Sequence, residues 1–277
     1  MRSRPRRPST SFRHRSLWPS RLRVLAKNGL RRVVPHVYRP LVRQLYNDLT
    51  WRAFTGDGVR CNCCCGQFRR FRLWSDDAGE RFSMCPRCGS LGRHRVDWLF
   101  LSERTNLRDG PTRLLHLAPE PSLRYCFELL PNVSYLSADY DSALAMEQMD
   151  ITDIRYPDES FDAIVCNHVL HYVDDDRRAM REFRRVLRPG GWALLQVPVD
   201  PSRAVTLEDP RVTDPRERAR VFGHPDHARV YGSDYSERLE EAGFVVTVDD
   251  FMATVPESRV REFGLDTGET IYFCRRL

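Results

Sequence analysis

The sequence predicts an α/β fold, a doubly wound sheet of largely parallel strands with helices on both faces. Residues 161–197 carry the clearest pattern. Ala163–Cys166 and Ala193–Val197 are short apolar runs, which are typical of strands covered on both sides. Between them apolar residues recur every three or four positions and predict one helix face against the sheet; they are Ala179, Met180, Phe183, Val186 and Leu187. The segment Pro189–Gly191 predicts the end of that helix, because proline cannot continue it and glycine accepts a positive φ.

Length and charge limit the organisation of the chain. With 277 residues and 41% hydrophobic content, it can form one full α/β domain and a small accessory module. Residues 1–47 contain 13 Lys or Arg and no acid, whereas the rest of the chain has 31 basic and 38 acidic residues. This basic arm is typical of a partly disordered, solvated tail, although Arg21–Leu30 and Pro40–Ala53 predict short amphipathic helices. Contact with RNA or an anionic membrane, and cleavage as an organelle transit peptide, remain alternatives.

The nine cysteines are clustered, and their number is odd, which argues against a secreted disulfide framework. No apolar stretch has the length of a secretory signal core or a transmembrane helix, so we expect a cytoplasmic protein. Two C-x2-C pairs, Cys61 with Cys64 and Cys85 with Cys88, are separated by 20 residues. Four thiolates at this spacing can close a tetrahedron around Zn²⁺ and leave no open coordination position. The sequence therefore predicts a structural zinc ribbon.

Two further cysteines, Cys63 and Cys65, lie beside the first pair and leave its register open, although only Cys61 and Cys64 have the two-residue spacing. Aromatic residues around the cysteine pairs are expected to form the small core of the ribbon, or alternatively to stack on bases. They are Phe68, Phe71, Trp74 and Phe82.

A longer motif narrows the fold class. SFD precedes the strand at Ala163, and RVLRPGG precedes the strand at Ala193. In this order and spacing, Asp158–Pro198 resembles the fourth strand, the following helix and the fifth strand of class I S-adenosylmethionine (SAM)-dependent methyltransferases. The resemblance implies a Rossmann-like methyltransferase sheet, SAM as the cofactor and methyl transfer as the activity.

The resemblance also implies where the methionine end of SAM would bind. The predicted first strand, Thr112–Leu117, runs into the sequence HLAPEPS, where the family has an acid followed by a glycine-rich loop. His116 occupies the position of the acid, and Ala118, Glu120 and Ser122 occupy positions of glycines. Glu120 either returns the negative charge lost at His116 or interacts with the dipole of the helix that starts near Ser122.

Further cofactor contacts follow from the same resemblance. Asp139 ends the predicted strand Val133–Ala138, where the family has the carboxylate that accepts the ribose hydroxyls. Asp150 and Ile151 match the end of the third strand, which contacts the adenine, and Asn167 ends the fourth strand. Both acids could instead be turn residues. Only ten residues separate Asp139 from Asp150, too few for a full crossover helix, so we expect a truncated one.

Two histidines after the fourth strand are the candidate catalytic residues. His168 and His171 should face the crevice in which open parallel sheets bind ligands. A hydroxyl acceptor would need a base, and histidine titrates in the useful range. The alternative for His168 is a hydrogen bond to backbone at the strand end.

The segment from Asp200 to Val230 is long for a connection after a strand, which suggests a lid over the acceptor pocket. Its motif FGHPDHARVYG resembles the substrate-side insertion of ribbon-bearing methyltransferases. The resemblance implies substrate-binding roles for four residues, His224, His227, Arg229 and Tyr231. A metal site formed by His224, Asp226 and His227 is an alternative.

These observations divide the chain into a basic arm (1–47), a zinc ribbon with linking helices (48–110) and a methyltransferase domain (111–277). The leading hypothesis is SAM-dependent O- or N-methylation of a small-molecule, sugar or lipid-like acceptor. One alternative is an RNA methyltransferase that holds its substrate with the ribbon and arm, although the acidic body is a poor RNA surface. The other alternative is a catalytically degenerate fold that serves as an interaction module.

Overall fold

A computed structural model of the chain describes residues 38–75, 81–142 and 145–277. The helix expected at Arg21–Leu30, like most of the basic arm, lies outside these ranges, so its structure and its contacts stay predictions. The second amphipathic helix is present as α1 (Arg39–Thr50), and a 3-10 turn follows at Trp51–Phe54.

The cysteine-rich segment folds as a small ribbon of two antiparallel strand pairs, and α2 follows it. The elements are β1 (Thr55–Arg60) with β2 (Gln67–Phe68), β3 (Arg72–Ser75) with β4 (Arg81–Met84), and α2 (Gly92–Arg104). Phe68 is fully buried and Phe71 packs against the same core, whereas Trp74 and Phe82 are partly exposed, with their rings 5.7 Å apart.

The rest of the chain alternates strands and helices. Its strands are β5 (Thr112–Leu117), β6 (Val133–Asp139), β7 (Glu147–Gln148), β8 (Phe161–Asn167), β9 (Leu187–Gln196), β10 (Leu207–Glu208), β11 (Arg229–Val230), β12 (Val245–Asp249) and β13 (Ile271–Arg275). Its helices are α3 (Pro121–Glu128), α4 (Asp176–Val186), α5 (Pro215–Phe222), α6 (Tyr235–Glu241), α7 (Phe251–Thr254) and α8 (Glu257–Phe263), with a 3-10 turn at Leu170–Tyr172.

Seven of these strands form one sheet in the order β12-β13-β9-β8-β5-β6-β7. The pairs from β9 to β7 are parallel, and β13 runs antiparallel to both β9 and β12. The chain moves from β5 to β6 on one side and to β8 and β9 on the other, so the strand order reverses between β5 and β8. Ligands bind at such a switch point in open α/β sheets, outside the carboxyl ends of the strands. The predicted α/β methyltransferase fold is confirmed.

One detail of the predicted repeat was wrong. Helix α4 ends at Val186, before the Pro-Gly-Gly segment, and β9 already begins at Leu187. Leu187 pairs with Phe161, and the register then shifts before Ala163 pairs further along. Gly190 takes a φ of +77° within β9, and its N–H donates to the carbonyl of Arg276 at 2.7 Å. The two glycines therefore accommodate an irregular strand and do not end the helix.

Both faces of the sheet are covered. Helices α4 and α6 contribute to the core on one face, and α2 and α3 contribute to the core on the other. Cys61, Cys85 and Phe68 of the ribbon belong to this second core. Residues 40–277 form one compact unit. None of the described helices is both long and apolar enough to cross a membrane.

Arg95 connects the ribbon to the segment around Gly264 through hydrogen bonds. It is fully buried on α2, and its guanidinium donates to the carbonyl oxygens of Ser90 at 2.6 Å, Ser83 at 3.1 Å and Gly264 at 2.7 Å. It also lies over the ring of Phe71, 4.1 Å from the centroid. Because a buried charge must keep its hydrogen-bond acceptors, these contacts fix the position of α2. The next turn of this helix lies toward the switch point.

Candidate functional site

Four thiols of the ribbon converge. The Sγ atoms of Cys61, Cys64, Cys85 and Cys88 all lie within 4.8 Å of one another. The separations of Cys61 from Cys88 and of Cys64 from Cys85 are 3.6 and 3.7 Å. Zn–S bonds of about 2.3 Å in a tetrahedron place the sulfurs about 3.8 Å apart, so the cluster has the dimensions of a four-cysteine zinc site. Among the described residues, this is the one group of such ligands found close enough to hold a metal ion.

The structure also resolves the register of the first knuckle. Cys63 is not one of the four converging thiols, and its Sγ is directed toward the carbonyl of His94 at 3.9 Å. Cys65 is exposed and has a φ of +56°. In the second knuckle, Gly89 has a φ of +74° and its N–H donates to the carbonyl of Cys85 at 3.1 Å, which turns the backbone under the thiols.

The altered loop after β5 brings His116 and Glu120 together. His116 is fully buried, with its Nε2 2.9 Å from Oε2 of Glu120 and its Nδ1 3.0 Å from the hydroxyl of Tyr135. Glu120 precedes α3 but makes no side-chain capping hydrogen bond, so its carboxylate is directed to the histidine and not to the helix end. Of the two roles considered for Glu120, this geometry favours the return of negative charge to the strand end.

A second histidine, His94 on α2, lies near the same carboxylate, with its Nε2 3.9 Å from Oε1 of Glu120. Burial alone would raise the pKa of Glu120, but its hydrogen bond to His116 and its proximity to His94 lower that pKa to about 2. Burial lowers the pKa of His94 to about 3. Glu120 is therefore an anion and His94 is neutral near pH 7.

Ala118 adopts the conformation that the family pattern reserves for glycine. Its φ is +47°, in the left-handed region, and its N–H donates to the carbonyl of Ala138 at 2.9 Å. A small side chain limits the strain of this turn and leaves the backbone accessible to a ligand. Ser122, at a further glycine position, is buried and lies 3.3 Å from Nδ1 of His94.

Acidic residues follow the next two strands. Oδ1 of Asp139, at the end of β6, accepts hydrogen bonds from the N–H groups of Asp141 at 3.0 Å and Ser142 at 2.9 Å. Oδ1 of Asp150, just after β7, accepts from both the N–H and the hydroxyl of Thr152 at 2.8 Å. Both residues thus hold turns, as the alternative stated, and both stand at the edge where the resemblance expects ribose and adenine. Ile151 beside them is buried.

The sequence missed two carboxylic acids at this edge. Asp97 of α2 is 1% exposed, and its Oδ2 accepts a hydrogen bond from Nδ2 of Asn167 at 3.2 Å. Glu269, just before β13, accepts a hydrogen bond from Nε2 of Gln196 at 3.1 Å. One signal was available for Asp97, because it interrupts the apolar run VDWLFL of α2. Glu269 carries no comparable signal.

His168 directly follows Asn167, whose amide contacts Asp97, and His171 lies three residues further on. His168 has a φ of +55°, and its N–H donates to the carbonyl of Gln196 at 2.7 Å. Its ring lies 6.1 Å from that of His171, which in turn lies 4.7 Å from that of His227. Burial lowers the pKa of His168 to about 4, and burial with the proximity of His227 lowers that of His171 to about 2. Both rings are therefore neutral near pH 7.

The insertion after β9 contributes two kinds of residue. His224 and His227 are partly exposed, and the ring centroid of His227 lies 5.1 Å from that of Tyr172. Arg229 and Tyr231 are buried instead: Arg229 donates to three backbone carbonyls between 170 and 174, and the Tyr231 hydroxyl donates to Asp176 at 2.6 Å. This geometry favours a structural role for Arg229 and Tyr231, so only the histidines remain candidates for direct contact with an acceptor.

The alternative metal site in the insertion was predicted from His224, Asp226 and His227. Their ligand atoms do not form a group close enough to hold a metal ion. Nδ1 of His224 accepts a hydrogen bond from the N–H of Asp226 at 3.2 Å, and Nδ1 of His227 is 3.2 Å from the carbonyl of Phe222. In each ring, Nδ1 is therefore occupied by a hydrogen bond to the backbone and is not free to bind a metal ion.

A cavity of about 470 Å³ lies elsewhere, lined by residues that include Thr112, Asp162 and Trp192. Thr112 and Asp162 stand at the amino ends of β5 and β8. This cavity is therefore at the opposite edge of the sheet from the crevice that binds ligands in this fold class.

Comparisons with known proteins agree with the fold. Residues 122–195 match a family model described as "Methyltransferase domain". The chain is 36% identical over 107 residues to 27-O-demethylrifamycin SV methyltransferase of Amycolatopsis mediterranei (strain S699), covering 38% of this chain and 37% of that protein. It is 27% identical over 125 residues to demethylmenaquinone methyltransferase of Corynebacterium efficiens (strain DSM 44549), covering 42% and 54% respectively. The matched stretches thus span well under two thirds of either relative.

A solved structure of an S-adenosylmethionine-dependent methyltransferase from Mesorhizobium loti aligns with a TM-score of 0.46 at 19% identity, covering 65% of this chain and 98% of that one. The segment from α3 to the end of β9 carries both the sequence match and the strand order of a methyltransferase domain.

Proposed function

We propose that this protein is a SAM-dependent methyltransferase that acts on a small-molecule, sugar or lipid-like acceptor. The observation that carries the proposal is the row of acids at the switch point: Glu120 after β5, Asp139 at the end of β6 and Asp150 after β7. SAM has a cationic methionine end, a ribose diol and an adenine, and the acids follow the strands in that order. The named relatives of this chain methylate a rifamycin and a menaquinone precursor, which supports a small-molecule acceptor.

The residues present fit SAM. Glu120 would receive the methionine ammonium, the backbone at Ala118 would lie against the methionine chain, and Asp139 would accept the ribose hydroxyls. Asp150 and Ile151 would contact the adenine. Orphaned buried atoms, Oδ1 of Asn167 and Nε2 of His94, have no hydrogen-bond partner in the described part of the chain, as expected where a ligand supplies one. Bound SAM would supply an electrophilic methyl group.

The chain's own residues would position the acceptor and take up its proton. His168 and His171 are neutral near pH 7, so either ring can accept a proton. Their lowered pKa values make them weak bases, which suits an acceptor whose proton is lost only as the new bond forms. His224 and His227 would close the acceptor side. O- and N-methylation are both compatible with this arrangement.

We further propose that Cys61, Cys64, Cys85 and Cys88 bind one structural Zn²⁺. The thiol separations fit a tetrahedral site, and the ribbon packs into the same core as α2. Zinc would therefore hold the helix that carries His94 and Asp97 in place.

Calorimetric titration of zinc-loaded protein with SAM tests the proposed function. We expect a one-to-one complex, with S-adenosylhomocysteine (SAH) competing for the same site. Absence of heat from both ligands would leave the interaction-module alternative. The RNA alternative predicts salt-dependent binding of RNA that is lost when residues 1–47 are deleted.

A further inference from the structure

Asp97 and Glu269 are each held by an amide side chain from one of two neighbouring strands, β8 and β9. Asn167 and Gln196 are paired residues at the carboxyl ends of β8 and β9. Each side-chain amide donates to one acid, Asn167 to Asp97 and Gln196 to Glu269. Since adjacent strands lie about 4.8 Å apart, the two carboxyl groups lie near each other, close enough for Glu269 to raise the pKa of Asp97.

Main-chain contacts fix one of these amides. Oε1 of Gln196 accepts a hydrogen bond from the N–H of Tyr272 at 2.8 Å, so its Nε2 must point to Glu269 and to the carbonyl of Thr270. Gln196 is 1% exposed, which prevents its rotation into solvent. The carboxylate of Glu269 is therefore held by the fold at the end of β9.

The other half of the pair has unsatisfied oxygens. Asp97 and Asn167 are 1% and 4% exposed, and Oδ1 of each has no hydrogen-bond partner among the residues that the structure describes. An unpaired buried carboxylate oxygen is costly unless a ligand or a proton satisfies it. These two oxygens lie beside the end of β8, next to the loop that carries Glu120.

The charge around the pair is mixed. Arg93 of α2 lies near both acids, Glu120 lies near Asp97, and Asp266 lies near Glu269. The acids of this group outnumber its one base, and the nearby His94 and His168 are neutral near pH 7. Once the two acids are ionised, a cation is therefore the ligand that this environment favours.

Building on the proposed function, we propose that Asp97 and Glu269 form a cation subsite that recognises the positive sulfonium of SAM and so distinguishes SAM from SAH. SAH has a neutral thioether at the same position, and the rest of the molecule is unchanged. Glu120 would bind the ammonium that both ligands share. The pair would therefore bind the charged cofactor more tightly than its neutral product. This preference would favour release of the product after methyl transfer.

The pair should also make this preference depend on pH. Burial and the proximity of Glu269 raise the pKa of Asp97, and burial with the proximity of Asp266 raises the pKa of Glu269 to about 7. Glu269 is protonated below this pH and ionised above it, and the raised pKa of Asp97 acts in the same direction. The preference for SAM should therefore increase as the pH rises through about 7, while SAH affinity changes little.

The test compares the Kd of SAM and of SAH by calorimetry for wild type, Asp97→Asn and Glu269→Gln at about pH 8. We expect each variant to lower the ratio of SAH Kd to SAM Kd by about tenfold, the scale of removing one nearby opposite charge. Glu103→Gln, which removes an exposed acid of the same helix, should leave the ratio unchanged.

The outcomes separate the two proposals. SAH binding with a wild-type ratio in both variants would overturn the cation subsite and leave the proposed function intact. Failure of wild type to bind SAM or SAH would overturn both. If Asp97→Asn lowers SAH affinity together with thermal stability, the partly exposed Glu269→Gln decides the question, and an unchanged ratio there would refute the subsite.

Discussion

Nε2 of His116 lies 2.9 Å from Oε2 of Glu120, so a fully buried imidazole at the end of β5 orients a carboxylate in the following loop. The resemblance to the methyltransferase family expects an acid at the position of His116. In this chain the acid stands four residues later, and the histidine brings it back to the strand end. We therefore expect the negative charge to lie where the family has it, although its sequence position has changed.

Glu120→Gln should weaken SAM binding by about 1 to 3 kcal/mol, because it removes a charged hydrogen-bond acceptor from the methionine side. SAH should be weakened to a similar degree, since both ligands carry the ammonium group. Calorimetry would measure both affinities. Glu128→Gln, at the exposed end of α3, is the matched control. Wild-type affinities in Glu120→Gln would show that the ammonium binds elsewhere.

Asp139→Asn tests the ribose contact. Asparagine retains an Oδ1 for the N–H groups of Asp141 and Ser142, so the turn should survive, while an amide replaces the second acceptor oxygen. We expect SAM affinity to fall by about 1 to 3 kcal/mol. Asp153→Asn, an exposed change near the adenine side, should have no effect. Equal affinities for wild type and Asp139→Asn would remove Asp139 from the cofactor site.

The sequence correctly predicted those elements that are encoded by a run of consecutive residues. Strand β5 has the predicted bounds Thr112–Leu117, because an apolar run and its boundaries can be recognised from consecutive residues. Glu269 could not be predicted in this way. It lies near Asp97 only because β13 returns beside β9, and no local pattern records the proximity of residues so distant in sequence.

The insertion after β9 shows a second limit of prediction from the sequence. Arg229 and Tyr231 stand in the motif FGHPDHARVYG, whose resemblance to a substrate-side insertion implied substrate-binding roles. The structure instead buries them in a network with Asp176 and Glu208. Composition does not distinguish a buried, fully paired charge from a solvated one, because the difference is set by partners on other elements.

Cys85→Ser tests the zinc site. A serine hydroxyl is a poor substitute for a thiolate ligand, so we expect loss of stoichiometric zinc, measured by elemental analysis of the purified protein. The unfolding midpoint should fall, because α2 packs against the ribbon. Cys65→Ser, at an exposed cysteine outside the cluster, should retain zinc. One equivalent of zinc in Cys85→Ser would refute the assignment of this ligand.

His171→Gln should change how stability depends on pH. Burial, together with the proximity of His227, lowers the pKa of His171 to about 2, so the folded protein keeps this ring neutral at pH values where the unfolded chain protonates it. The unfolded state then binds more protons below about pH 6.5, and stability is lost as the pH falls. Glutamine does not titrate and removes this contribution. Between about pH 7.5 and pH 5.5, the free energy of unfolding of the variant should rise relative to wild type by about 1.4 kcal/mol. Urea unfolding at both pH values measures this difference, in which the other buried histidines and acids largely cancel. A difference between variant and wild type that is the same at both pH values would show that the pKa of His171 in the folded protein is close to its value in the unfolded chain.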